Sequence, residues 1–189
     1  MSTPITDSSG TAATHLTDKL WFNAIWFQSL WFCAVLGRDE LLPATLAIIA
    51  LHLLLVPRRF DELRQLAVLG GLGISVDAGL SLSGVFVFPG GVLVPLWLCC
   101  LWLAFATTLG RSLAAFGPRP WLAAIAGGVV VPLNYFAGSR LGAVEFGLPL
   151  WQSLLVMALI WSALLPGLYY LQQRFFNRLE ATPNVSIPG

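Results

Sequence analysis

Charge is what this sequence has least of. Only 10% of its 189 residues are charged, and lysine occurs once, as Lys19. A soluble domain carries about 25% charged residues. So few charges cannot cover the water-facing surface of a chain this long, which excludes an ordinary soluble domain. The net charge of +1 supplies no basic field, which excludes a nucleic-acid partner. Cysteine is scarce as well: Cys33, Cys99 and Cys100 all lie in apolar runs, with no CxxC and no Cys/His cluster. No metal and no cofactor is expected from that pattern, and the three thiols read as soft packing residues. Catalytic signatures are missing too. There is no HExxH, no phosphate-cradling loop and no Ser/His/Asp set at one depth, so the balance tilts against an enzyme. Gly70-Gly71-Leu72-Gly73 lies inside an apolar run and is no dinucleotide fingerprint.

What is present is hydrophobic residues, at 57% with a mean hydropathy of +0.80. Runs of about 17–25 apolar residues cross a bilayer as helices. Six such runs occur, at 20–36, 41–56, 66–88, 91–109, 121–138 and 150–171. They predict an all-α fold: a polytopic membrane helix bundle with six transmembrane helices. The second run is the shortest, and whether it crosses fully is open. Residues 1–19 and 172–189 read as tails, with 1–19 and 180–189 disordered. The first run follows a hardly basic segment and precedes no small-x-small site, so it reads as a retained span rather than a cleaved signal.

Basic residues orient the bundle. With six spans, Lys19, Arg58, Arg59, Arg64, Arg111, Arg119, Arg174 and Arg178 fall on one side, and Arg38 and Arg140 on the other. The positive-inside rule then places both termini in the cytoplasm of a multi-pass inner-membrane protein. Trp21, Trp121, Trp151 and the Tyr169-Tyr170 pair stand near span ends, where interfacial aromatics collect. Trp21-Phe22, Trp26-Phe27 and Trp31-Phe32 repeat every five residues and wind around the first helix. That suits lipid-facing and packing rings, with an aromatic cage as the alternative.

Asp77 is the one formal charge inside the six runs. A carboxylate at that depth costs roughly 2.5–3.5 kcal/mol on insertion scales. Two readings compete for it: a contact for a ligand or proton, or a carboxyl that ties helices together. Gly71, Ser75, Gly79 and Ser83 form one small-residue face of its helix, and Gly70, Gly73, Asp77, Ser81 and Gly84 the opposite one. Close packing from both sides would put this helix at the centre. Counting at 1.5 Å per residue brings Gln28 and Asn134 to a similar depth. This arithmetic outlines a midplane pocket of Asp77, Gln28 and Asn134 lined by Tyr135 and Trp161, unless the polar groups only bond helix to helix. Asn134 shares a face with Ala123, Gly127 and Gly138, which points it into a close contact. His52 is shallower, and either a polar relay to Asp77 or a packing residue. Arg140 and Glu145 flank an outer connector, as a mouth or as loop charges.

The stretches Leu20–Gly37, the Asp77 helix with Gly79, Leu96–Leu109 and Tyr135–Phe146 (YFAGSRLGAVEF) resemble a bacterial family of small multi-pass inner-membrane proteins, a domain of unknown function. The resemblance covers most of residues 20–171. Through an association with cyclopropane-fatty-acid-synthase-like enzymes it implies lipid-related work. Three expectations follow. The first is binding or transport of a small amphipathic or lipid-derived molecule around Asp77, with membrane lipids as partners. The second is a non-catalytic accessory or scaffold subunit of a lipid-modifying enzyme or another membrane protein. The third is an intramembrane enzyme.

Overall fold

The computed structural model describes residues 16–175. Arg178, part of the charge count above, lies outside the described residues. Six helices account for most of the chain: α1 (Leu20–Gly37), α2 (Leu42–Leu55), α3 (Arg59–Leu82), α4 (Leu96–Thr108), α5 (Pro120–Arg140) and α6 (Leu150–Phe175). α1, α3, α5 and α6 are long and apolar enough to cross a membrane; α2 and α4 are shorter apolar helices. Many large apolar side chains stay exposed on the outside of the bundle, Leu54, Leu96, Val129 and Leu159 among them. Such a belt is intolerable in water and natural against hydrocarbon.

Side-chain bonds sort the helix ends into two groups. Asn23, His52, Glu62, Arg111 and Ser112 meet at one end, which also holds the basic residues of the connectors after α2 and α4. At the other end a two-stranded antiparallel ladder joins β1 (Phe86–Val87) to β2 (Glu145–Phe146). Arg38 reaches the same end and donates to the Leu141 carbonyl at 3.1 Å, while Ser153 donates to the Val85 carbonyl at 3.0 Å.

The third helix departs from its expected limits of 66–88. It starts at Arg59 and stops at Leu82, because Gly84 turns the chain with φ +72 and Phe86-Val87 pair as a strand. An apolar run cannot by itself separate helix from buried strand. Likewise α4 begins at Leu96 rather than 91, behind Pro95, whose missing N–H suits a helix start. One π-helical stretch, Leu66–Gly70, interrupts α3 where it crosses α4.

The central position expected for α3 is also corrected. Gly70, Gly73 and Asp77 are buried, and a Cβ on Gly73 would collide with the Trp102 ring. On the opposite face Gly71 and Gly79 have open space, and Ser75 is exposed with its hydroxyl donating to its own Gly71 carbonyl. The helix packs on one side only. Small residues permit close packing from two directions but do not compel it. The tightest helix pair is instead α5 with α6, where a Cβ on Gly127 would lie 2.2 Å from the Trp161 carbonyl.

Candidate functional site

Between α1 and α4 on one side and the α5–α6 pair on the other runs a cavity of about 460 Å³. Its lining follows α4 from Trp97 to Thr108, an axial length of about 17 Å. That volume lies in the usual range of small-molecule sites, about 300–1,000 Å³. Phe88, Ala143 and Val144 line it at the ladder end, and Ser112, Leu113 and Phe116 at the opposite end. Most lining residues are buried or half-buried. The exposed ones are Gln28 on α1 and Val130 and Asn134 on α5. The cavity therefore opens sideways, between α1 and α5, where a bilayer would lie.

Most polar groups of the wall turn away from the space they enclose. Trp102 Nε1 and the Tyr135 hydroxyl both donate to Asp77 Oδ2, at 2.6 Å and 2.5 Å. The Thr108 hydroxyl donates to the Phe105 carbonyl, and Tyr169 to the Leu113 carbonyl. The Trp102 indole stacks on Trp161, with ring centres 5.1 Å apart and planes 8° from parallel. Phe86 stacks on Tyr135 at 5.3 Å. Asp77 is fully buried, and its Oδ1 has no partner. It stands behind the wall rather than in it, and fixes two rings that line the cavity.

The expected pocket of Asp77, Gln28 and Asn134 is thus rearranged. Asp77 meets Tyr135 and Trp102, while Trp161 joins through its stack on Trp102. Asp77 sits about 7.5 Å from the C-terminal end of α3, not at the middle of its helix, because α3 begins seven residues and ends six residues earlier than expected. Gln28 and Asn134 line the cavity at its opening. Asn134 is exposed, and its amide donates to the Val130 carbonyl one turn back at 2.8 Å. A short amide satisfied by its own helix needs no facing helix, which is why the shared face with Gly127 misled. Trp102 was missed because depth counting ranks polar residues and passes over an indole N–H.

His52 does not approach Asp77. Its Nε2 lies 2.8 Å from Glu62 Oε1, and Glu62 precedes Asp77 by about 22 Å along α3. Arg111 grips the same carboxylate with both terminal nitrogens, at 2.9 Å and 2.8 Å, and donates to the Thr107 carbonyl. His52 and Glu62 are buried, and Trp26 packs against the imidazole at 4.7 Å. Asn23 accepts from the Ser112 hydroxyl at 2.6 Å, adding α1 to the knot. Glu62 and Arg111 escaped sequence reading because both were assigned to connectors.

Arg140 and Glu145 are exposed, and no ion pair joins them among the described residues. Glu145 serves the ladder through its backbone, opposite Val87. Tyr169, expected at an interface, is buried, whereas Trp21, Trp121, Trp151 and Tyr170 are exposed. The three cysteines are free, and no metal cluster occurs among the described residues.

Fold and cavity together define a class: an apolar all-α bundle of the membrane-spanning kind, enclosing an aromatic space. The chain belongs to the family described as Protein of unknown function (DUF2878), whose model matches residues 20–167. The matched segment contains the Asp77–Trp102–Tyr135 and His52–Glu62–Arg111 groups and all of the cavity lining except Tyr169. No curated protein and no solved structure matches the chain.

Proposed function

We propose that this is a multi-pass protein of the bacterial inner membrane that binds a small amphipathic or lipid-derived molecule in the cavity between α1, α4, α5 and α6. The observation that carries the proposal is the cavity's shape: long and apolar, with its exposed lining residues at the side and none at either end. A water-borne ligand would need an open end, whereas a molecule dissolved in the bilayer reaches a lateral opening directly. Asp77 acts as a positioning residue, holding Trp102 and Tyr135 as wall, and Gln28 and Asn134 stand where a ligand would pass. The split of basic residues supports cytoplasmic termini, with the ladder facing outward.

Mass spectrometry of protein extracted in mild detergent tests the proposal. The wild type should retain a lipid-sized adduct. Ala126→Trp, which fills the cavity, should reduce that adduct at least tenfold while the helix content is kept. Equal retention by both proteins would refute the proposal.

A further inference from the structure

Resting on that reading, we infer the class of ligand: an uncharged lipid whose head presents hydrogen-bond acceptors such as carbonyl oxygens. The first support is the lining's charge. Of the 26 residues around the cavity, none is Asp, Glu, Lys, Arg or His. A phosphate or carboxylate head buried there would have no cation to pair with, and unpaired charge in an apolar site is prohibitively costly. The nearest carboxylate, Asp77, has two neutral donors already committed to one oxygen and would repel an anion.

The second support is a spare donor. Gln28 lines the cavity at its exposed opening, and its side-chain amide makes no hydrogen bond among the described residues. A polar group facing an apolar phase costs free energy unless it is bonded, so a free amide on the cavity wall points to an acceptor supplied by a ligand. The third support is the wall's flatness. Ten of the 26 lining residues are aromatic, which favours a planar or unsaturated head over a bulky branched one. Prenylated quinones meet all three supports and monoacylglycerols the first two, and they share the carbonyl chemistry.

Tryptophan fluorescence of the purified protein separates the possibilities, because Trp31, Trp97, Trp102 and Trp161 all line the cavity. Decylbenzoquinone should quench saturably. Monooleoylglycerol should displace it, and dioleoylphosphatidylglycerol should not. Gln28→Leu, at an exposed position, keeps the bulk of the side chain and removes the donor, and should raise the quenching midpoint about three- to tenfold, as loss of one hydrogen bond predicts. Displacement by the phosphatidylglycerol as readily as by the monoacylglycerol would overturn the neutral-head assignment while leaving the binding function standing. An unshifted midpoint in Gln28→Leu would overturn the donor assignment. Quenching that never saturates, and that Ala126→Trp leaves unchanged, would overturn the cavity as a binding site altogether.

Discussion

Two buried carboxylates, Glu62 and Asp77, occupy the same helix about 22 Å apart, and their surroundings differ in kind. Glu62 is matched charge for charge. Arg111 takes both of its oxygens, His52 takes one of them again, and four chain segments are drawn together around it. Asp77 meets no cation. It has a tryptophan and a tyrosine on one oxygen and nothing on the other. The first is a knot at the end of the bundle, where long polar side chains can arrive from connectors. The second is a clasp inside the apolar layer, where only side chains already on helices can reach. A knot secures the fold, whereas a clasp shapes the cavity wall.

Substitutions should separate the two. Glu62→Ala leaves the largely covered Arg111 guanidinium with only the exposed Asp18 carboxylate, 3.5 Å from its Nε, and should cost about 3–5 kcal/mol, read as unfolding in detergent. Removing Arg111 in the same chain should recover part of that loss, since no buried charge is then left alone. Asp77→Ala leaves two neutral donors unpaired and should cost less, about 2–4 kcal/mol. It should also lower ligand retention beyond what its stability loss explains, because the Trp102 and Tyr135 rings lose their anchor. Tyr135→Phe keeps the ring and should cost about 1–2 kcal/mol with a small change in retention. If Glu62→Ala impaired retention more than Asp77→Ala at matched stability, the division into knot and clasp would fail.

Much of the fold was legible because bilayer chemistry imposes long apolar runs, and six runs became six helices. The misplaced limits have particular causes. Phe86, Val87 and Phe88 are as apolar as any helix, and only their pairing with Glu145 and Phe146 shows them to be a strand and its continuation. Arg59–Gln65 is too polar to count as a span, yet it carries α3 onward. At the site, Asp77 stood out by type, and Gln28, Asn134 and Trp161 by depth. Their arrangement did not follow, because which side of a helix is covered depends on the neighbour. Gly71 and Gly79 illustrate this, being as small as Gly73 but facing open space. The pairing of His52 with Glu62 rather than Asp77 was hidden for the same reason.

The cavity's occupancy is the central claim, and a cryo-EM map of the full chain in native-lipid nanodiscs tests it most directly. The account predicts one elongated density lying along α4 from Trp97 to Thr108, with a narrow end at the opening between Gln28 and Asn134. A map in which α1 closes against α5 and the space is filled by side chains would contradict it.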